Sequence, residues 1–411
     1  MSTFIFYIII VFVVGEYVFS QWLAWRNRKA AAPSMPLQLQ GLYDEAKYAK
    51  QQSYFRENNR LSFYSSTFNT LLILVMFVSG GFGALYEYCA GLSDNNIAVT
   101  LIYFAILFIA YDLLNTPFAI YDTFVIEQRF GFNKTTKAVF ITDKLKGWLI
   151  GGIIGALLIS VIVFIYDKLG SDFWWAAFLV VMAFSLIMTM FYSQIIVPLF
   201  NKQTPLPDGE LRDAIEAFSA KEGFRLDNIY VIDGSKRSTK ANAYFTGLGS
   251  KKRIVLYDTL INDLATEEIV AVLAHEMGHY RKKHTLIGFA ISAVVTLVQF
   301  YILSYVLSSV DVAEAMGMAA PAFAVSLIAF AMLYTPVDML TGVLVNSVSR
   351  RNEYQADNYA ASFGLGEGLI SGLKKITLKA LVNLTPDKLY VKVYYSHPTL
   401  LQRIENIRNR K

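Results

Sequence analysis

Long runs of apolar residues alternate with polar segments along this chain. Seven of these runs are long enough to cross a bilayer, a distance that takes about 20 helical residues. They lie near residues 3–23, 63–88, 98–121, 146–167, 173–199, 285–308 and 319–345. Several contain glycine or proline, which membrane helices tolerate. The pattern therefore predicts a membrane protein whose chain crosses the bilayer seven times.

The polar segments 200–284 and 346–411 carry their own periodicities, which indicate folded structure. Helical spacing covers 208–222, 266–283, 350–376 and 397–409, and three short β-branched or aromatic runs at 228–232, 241–245 and 253–257 predict a small antiparallel sheet. The predicted fold class is a membrane all-α protein with a small α+β part.

The order of apolar and polar segments divides the chain into four predicted parts. The first five membrane helices with their loops occupy 1–199, and a polar segment with a strand at the sheet edge and a motif-bearing helix occupies 200–284. The sixth and seventh membrane helices occupy 285–345, and C-terminal helices occupy 346–411.

Composition supports the membrane interpretation. Hydrophobic residues make up 55% of the chain, and the mean hydropathy of +0.41 is high for a soluble protein. The net charge of +5 is modest and requires no nucleic-acid partner. The single cysteine, Cys89, excludes an intrachain disulfide framework and a cysteine-rich zinc site.

Lysine and arginine are distributed unevenly between successive connections. They are frequent in 24–62 and 122–145, but 89–97 and 309–318 contain none. Because basic residues favour the cytosolic side, this alternation predicts an outer or lumenal N-terminus and a cytosolic C-terminus. The first apolar run lacks a basic segment before it, so we expect a retained span rather than a cleaved signal. The membrane is expected to be either a bacterial inner membrane or that of the endoplasmic reticulum.

The candidate chemistry lies in a short histidine motif. Only four histidines are present, and two of them, His275 and His279, flank Glu276 in an H-E-x-x-H arrangement. Residues four apart share one face of a helix, so both imidazoles can bind one Zn²⁺ per chain, while Glu276 serves as a general base. The alternative is two histidines satisfied by helix packing or solvent.

A catalytic zinc needs a third protein ligand and an open position. We expect Glu353 to be this ligand, with Asp357 one turn later accepting the other N–H of a ligand histidine. Without the histidine pair, a solvated helix face would be the preferred interpretation of these two carboxylates. His284 is five residues beyond His279 and is interpreted as a residue at the membrane boundary or behind the ligands. A structural zinc in an adaptor protein fits less well, since three ligands describe an open site.

The chain resembles the type-1 CAAX prenyl protease family of integral-membrane zinc peptidases over nearly its whole length. Besides the histidine motif, the resemblance is carried by residues 117–133, 197–201, 204–207, 242–244 and 396–398. It implies seven long helices around a water-filled chamber, with zinc at the cytosolic end. It also implies that Glu353 is the third ligand and Asp357 its outer partner, that Asn242 and Ala243 bind substrate backbone, and that His397 and Arg403 stabilise the oxyanion.

The implied activity is peptide-bond hydrolysis by a monomer in the lipid bilayer, acting on peptides or proteins whose C-termini are of the prenylated CAAX type. A second hypothesis is a protease of the same fold that cleaves non-prenylated substrates in membrane-protein quality control. A third, suggested by Asp112 and Asp338 within apolar runs, is a seven-span receptor or transporter.

Overall fold

Helices run through almost all of the apolar segments. The computed structural model describes residues 1–31, 34, 44–221, 229–246 and 253–409. The elements of the N-terminal half are α1 (Ser2–Ala30), α2 (Glu45–Val78), α3 (Gly81–Ala90), α4 (Asn96–Tyr121), α5 (Gln128–Phe130), α6 (Lys137–Leu169), α7 (Phe173–Ile195) and α8 (Val197–Phe200). A π-helical turn, Asp122–Glu127, joins α4 to α5.

The C-terminal half begins with a small mixed region and returns to long helices. Its elements are β1 (Gln203–Pro205), α9 (Glu210–Lys221), β2 (Ile229–Ile232), β3 (Ala243–Thr246), β4 (Arg253–Tyr257), α10 (Asp258–Asp263), α11 (Thr266–Arg281), α12 (His284–Leu307), α13 (Val310–Ala315), α14 (Phe323–Ser362), α15 (Gly366–Lys379), α16 (Lys388–Tyr394) and α17 (Leu400–Arg408).

Within the described residues, six helical stretches are long and apolar enough to cross a membrane. They are Ser2–Ala30, Glu45–Val78, Asn96–Phe130, Lys137–Phe200, His284–Leu307 and Phe323–Ser362. The fourth stretch contains α6 and α7, which are joined by a 3-10 turn at Gly170–Asp172. The predicted membrane protein is therefore confirmed, and the number of crossings stays a prediction.

The outer faces of these helices are apolar, as a lipid environment requires. On α6, Leu149, Ile153 and Leu157 lie four residues apart and are 65%, 62% and 68% exposed. A soluble chain would bury such a stripe against a neighbouring element, because exposed apolar area in water is unfavourable. Contact with lipid tails removes this penalty.

The sheet differs from the predicted one. Its strand order is β1-β2-β4-β3. The outer pairs are antiparallel, but β2 and β4 are parallel, so the prediction of an antiparallel sheet was wrong for the central pair. In β4, Ile254, Val255 and Leu256 are at most 1% exposed. Such a continuous apolar run suits a central strand covered on both faces, which leaves β3 at the edge. Of the predicted first strand, residue 228 lies outside the described residues.

Two predicted helices also differ. The expected helix 350–376 is wrong as a single element, because α14 ends at Ser362 and α15 starts at Gly366. Gly364 lies between them with φ +77°, a left-handed conformation that glycine adopts readily. The expected helix 397–409 begins only at Leu400, where Thr399 and Gln402 form a capping box.

Helix α11 packs directly against α14. A Cβ added at Gly278 would lie 3.0 Å from the Cα of Ala356 and 3.0 Å from the Cβ of Tyr359, so glycine permits this close approach. At its first turn, Glu268 accepts hydrogen bonds from Ser371 and Lys375 of α15, at 2.6 Å and 2.7 Å. Most of α11 is consequently buried between α14 and α15, and its position is fixed at both ends.

Candidate metal centre

His275 and His279 lie one turn apart on the face of α11 that meets α14. Their Nε2 atoms are 3.1 Å apart. His275 is 5% exposed, and the side chain of His279 is 24% exposed at the edge of a cavity. The expectation that the two imidazoles share one face of a helix is met by this geometry.

Glu353 reaches the histidine pair from α14. Its Oε2 lies 3.4 Å from Nε2 of His275, and its Oε1 lies 3.3 Å from Nε2 of His279. The residue is 4% exposed, and its Oε2 makes no hydrogen bond within the part of the chain that the structure describes. Nε2 of His275 at 3.4 Å and Nη1 of Arg403 at 3.5 Å approach this oxygen without forming a hydrogen bond, and such a buried carboxylate oxygen is suited to accept a further contact from a metal ion.

The three atoms fit a metal ion. Bond lengths of about 2.0–2.1 Å in a tetrahedral site place neighbouring ligand atoms about 3.3 Å apart. In this chain the two imidazole Nε2 atoms are 3.1 Å apart, Oε1 of Glu353 lies 3.3 Å from Nε2 of His279, and Oε2 of Glu353 lies 3.4 Å from Nε2 of His275. Two imidazoles and one carboxylate, with one side facing a cavity, can therefore hold an ion and leave it a free coordination position.

Asp357 and Arg403 lie behind His275. Nδ1 of His275 is 2.9 Å from Oδ1 of Asp357, as expected for an outer partner of a ligand. Arg403, 9% exposed on α17, donates from Nε and Nη2 to the two oxygens of Asp357, at 3.0 Å and 2.5 Å. Burial lowers the pKa of His275, but the hydrogen bonds with Asp357 and Glu353 outweigh it and raise the pKa to about 9. Metal binding must then release a proton from this ring at neutral pH.

A cavity of about 570 Å³ opens in front of the three ligands. Of the remaining candidate residues, those that line this cavity are Asn242, Ala243, Glu276, His397 and Arg403. Only Asp357 among the predicted site residues lies outside the lining, since it is completely buried behind His275. Segments far apart in the sequence therefore meet at one site.

His397 occupies a different setting from the predicted one. It lies in the turn before α17, outside the helix that the sequence predicted over 397–409. Its side chain is 63% exposed, and its Nε2 is 3.3 Å from Oε1 of Glu353. Arg403 uses two nitrogens for Asp357, and its Nη1 lies 3.5 Å from Oε2 of Glu353. Both residues adjoin the ligand group although only one is helical.

Among the described residues, β3 lies at the edge of the sheet, with β4 as its one strand neighbour, beside the site. The N–H of Tyr257 donates to the carbonyl of Asn242 at 3.1 Å, so the backbone of Asn242 faces β4. Backbone groups alternate in direction along an antiparallel strand, so those of Ala243 face away from β4. In agreement, the N–H of Ala243 donates to Oδ1 of Asn242 at 2.9 Å.

Contacts with distant segments hold this edge strand, and the local sequence pattern does not predict them. Lys240, just before β3, donates to Oε2 of Glu127 at 2.7 Å and to the hydroxyl of Tyr54 at 3.0 Å. Thr259 donates to the carbonyl of Lys240 at 3.0 Å. Glu127 falls within 117–133, one of the segments that carry the family resemblance. Nothing in its local pattern identifies a lysine 113 residues away as its partner.

Comparisons with known proteins agree with this architecture. The family model for the N-terminal domain of CAAX prenyl proteases, with five membrane helices, matches residues 24–202. The model for peptidase family M48 matches residues 205–411. A CAAX prenyl protease 1 homolog of Arabidopsis thaliana is 35% identical, covering 97% of this chain and 96% of the relative.

Two yeast proteins are similarly related. CAAX prenyl protease 1 of Saccharomyces cerevisiae is 32% identical, covering 96% of this chain and 93% of the relative. The crystal structure of S. mikatae Ste24p superposes with a TM-score of 0.92 at 32% identity, covering 98% of each chain. The similarity thus extends over both the membrane helices and the segments that form the site.

Replacing Glu353, the expected third ligand, tests the site directly. We expect Glu353→Gln to weaken metal binding by more than the roughly 10–100-fold that loss of an outer ligand partner causes, because a neutral amide replaces the anionic ligand. Chelator competition on the purified full-length chain measures the affinity. Glu367→Gln is the matched control, since Glu367 is 73% exposed and pairs with Arg408. Unchanged affinity in Glu353→Gln would remove Glu353 from the ligand set.

Proposed function

The chain belongs to peptidase family M48 and is a membrane metalloprotease, and from that premise we propose that it is a zinc metalloendopeptidase acting on CAAX-type prenylated C-termini. The resemblance stated from the sequence motifs is confirmed, as are the enzyme class and the membrane setting. The family assignment favours a protease over a receptor or transporter. The observation that carries the proposal is the group of His275, His279 and Glu353 facing a cavity beside a free strand edge.

Zinc is the metal we propose, at one ion per chain. Its protein sites combine imidazole nitrogen with carboxylate oxygen, and a set of two histidines and one glutamate is a known catalytic arrangement. Magnesium and calcium favour sites made only of oxygen ligands. The two nitrogens among three ligand atoms therefore favour zinc.

Glu276 is the proposed general base. It follows His275 on α11 and lines the cavity, and the group of side chains that could hold a metal consists of His275, His279 and Glu353. When bound, zinc would supply Lewis acidity, which polarises the scissile carbonyl and makes water a stronger nucleophile at neutral pH. Glu276 accepts a proton from the attacking water and passes it to the leaving amine.

His397 and Arg403 are proposed to stabilise the negative charge that develops on the carbonyl oxygen. His397 is exposed to the cavity in the turn before α17, so its ring can approach substrate. Arg403 is held rigidly by Asp357, its Nη2 lies 3.2 Å from Nδ1 of His275, and its Nη1 lies 3.5 Å from Oε2 of Glu353. Donors fixed before the reaction are effective because they need no rearrangement during it.

The edge of β3 is proposed to bind the substrate backbone. An extended peptide adds to an exposed strand by main-chain hydrogen bonds, which makes few demands on side chains. Ala243 offers its outward backbone groups within the cavity, and the Asn242 side chain already satisfies the N–H in the absence of peptide. Substrate would exchange that bond for its own.

We also propose a topology of seven spans, counting α6 and α7 separately, with the predicted domain boundaries, a cytosolic C-terminus and a monomeric state.

Labelling of added cysteines tests on which side of the membrane each loop lies. Cys89 is buried, so it should contribute little labelling of its own. A membrane-impermeant maleimide should label Asp94→Cys from the outer or lumenal side and Lys236→Cys only from the cytosolic side, since both positions are exposed. The reverse labelling would invert the topology.

Replacing the proposed base separates catalysis from metal binding. Glu276→Gln should reduce peptide hydrolysis about 100–10,000-fold, the usual contribution of general acid–base catalysis, and should retain wild-type metal content. Initial cleavage rates and metal analysis on one preparation measure both. Glu267→Gln, at an exposed position in the first turn of the same helix, is the control and should match the wild type. A fully active Glu276→Gln would exclude this base.

Removing one outward N–H tests the edge strand. Ala243→Pro should leave β3 paired with β4, since this N–H does not face β4, but should lower kcat/KM about 2–12-fold through the loss of one substrate hydrogen bond of about 0.5–1.5 kcal/mol. Ala243→Ser retains the N–H and is the control. If Ala243→Pro folds and has normal kcat/KM, β3 does not pair with substrate through this group.

Matched peptides test the proposed substrate class. We expect the purified chain to cleave a farnesylated Cys-a-a-X peptide faster than its unprenylated twin, and Glu276→Gln to cleave neither. Rates at equal peptide concentration in the same detergent give the comparison. Equal rates would contradict the prenyl-specific proposal and favour the quality-control protease.

A further inference from the structure

His284 lies behind His279 because the turn between α11 and α12 is sharply bent. Lys283, the residue before His284, has φ +59°, a left-handed conformation that is unfavourable for a residue with a side chain. The N–H groups of Lys282 and Lys283 bond to the carbonyls of Gly278 and Tyr280, at 3.0 Å and 2.9 Å. The chain thereby turns back within two residues, and His284 is 6% exposed as the first residue of α12.

Three side chains form a continuous row that ends at the metal site. Nδ1 of His279 is 3.0 Å from Nδ1 of His284. Nε2 of His284 is 3.0 Å from Oε1 of Gln355 on α14. None of these contacts is implied by the histidine motif, which ends at His279.

Only one arrangement of protons satisfies this row. Nε2 of His279 faces the other two ligand atoms, at 3.1 Å and 3.3 Å, so the neutral ring carries its proton on Nδ1. That N–H donates to Nδ1 of His284, which must then carry its own proton on Nε2. This second N–H donates to the amide oxygen of Gln355, which can only accept.

We propose that His284 and Gln355 are positioning residues that fix the tautomer and ring orientation of His279 for metal binding. This inference rests on the proposed metal site and adds to it. The two ligand histidines are held differently: Asp357, a carboxylate, holds His275, whereas a neutral imidazole and amide hold His279. Helix α14 thus supplies one proposed ligand, Glu353, the direct partner of His275, and the residue at the outer end of the row behind His279.

Two apolar replacements of similar shape remove the acceptors. We expect His284→Phe and Gln355→Leu each to raise the zinc dissociation constant roughly 10–100-fold, the range found when an outer partner of a ligand is lost. Chelator competition on the full-length chain in detergent measures this constant. Because the row acts as one unit, the double variant should lose little more than either single variant.

Two conservative replacements distinguish positioning from simple packing. In His284→Asn the amide oxygen can occupy the place of Nδ1 and accept from His279, so zinc affinity should recover toward the wild type. Gln355→Glu retains an acceptor for His284 and should also bind zinc well. Packing alone would predict that Phe and Leu are tolerated better than these polar variants. Lys282→Gln, exposed in the same turn, is the control and should be unchanged.

The thermal midpoint of the metal-free protein shows whether each variant folds. If His284→Phe or Gln355→Leu fails to fold, the zinc affinities of His284→Asn and Gln355→Glu are compared with that of the wild type. Loss of zinc binding in both of these conservative variants would overturn the inference. Wild-type affinity in folded His284→Phe and Gln355→Leu would also overturn it, even with peptide cleavage intact. Zinc affinity could depend on His284 and Gln355 as expected while the chain cleaves no peptide. That result would contradict the proposed function and leave this inference standing.

Discussion

The close contact of α11 with α14 at Gly278 is the constraint on which the rest of the site depends. Each helix carries part of the ligand group, and neither part holds an ion alone. The ligand atoms come within 3.4 Å only because the two backbones approach until a Cβ at Gly278 would lie 3.0 Å from the Cα of Ala356. Residue 278 also lies between the two histidines, so the point of closest approach coincides with the ligands.

The buried charges of the site support one another across three helices. Asp357 is fully buried on α14, and it is balanced by Arg403 of α17 and by the His275 ring of α11. Removing one member of such a group leaves an uncompensated buried charge. The stability lost in this way is larger than the net stabilisation that the intact pair provides. The group therefore holds α17 against α14 and keeps His275 oriented at the same time.

The parts of the site that depend on local spacing could be predicted from the sequence, and the parts that depend on packing could not. His275 and His279 follow from the helical repeat, and the family resemblance pointed to Glu353. The parallel pairing of β2 with β4 could not be read from three short apolar runs, because strand order depends on which run is most buried. His397 lies outside α17 because Thr399 caps that helix, and the contact of Gln355 with His284 requires the left-handed turn at Lys283.

The length of α14 relates the membrane to the chemistry. At 1.5 Å per residue, Glu353 lies about 45 Å along the axis from Phe323, whereas the hydrocarbon core of a bilayer is about 30 Å thick. An upright α14 that begins at one membrane surface would therefore place Glu353 beyond the other. α12 begins at His284, beside the same ligands, and runs away from them as an apolar helix. The site thus lies where one membrane helix begins and another has left its apolar part, a position that water and, under the proposed function, a peptide anchored in the bilayer could both reach.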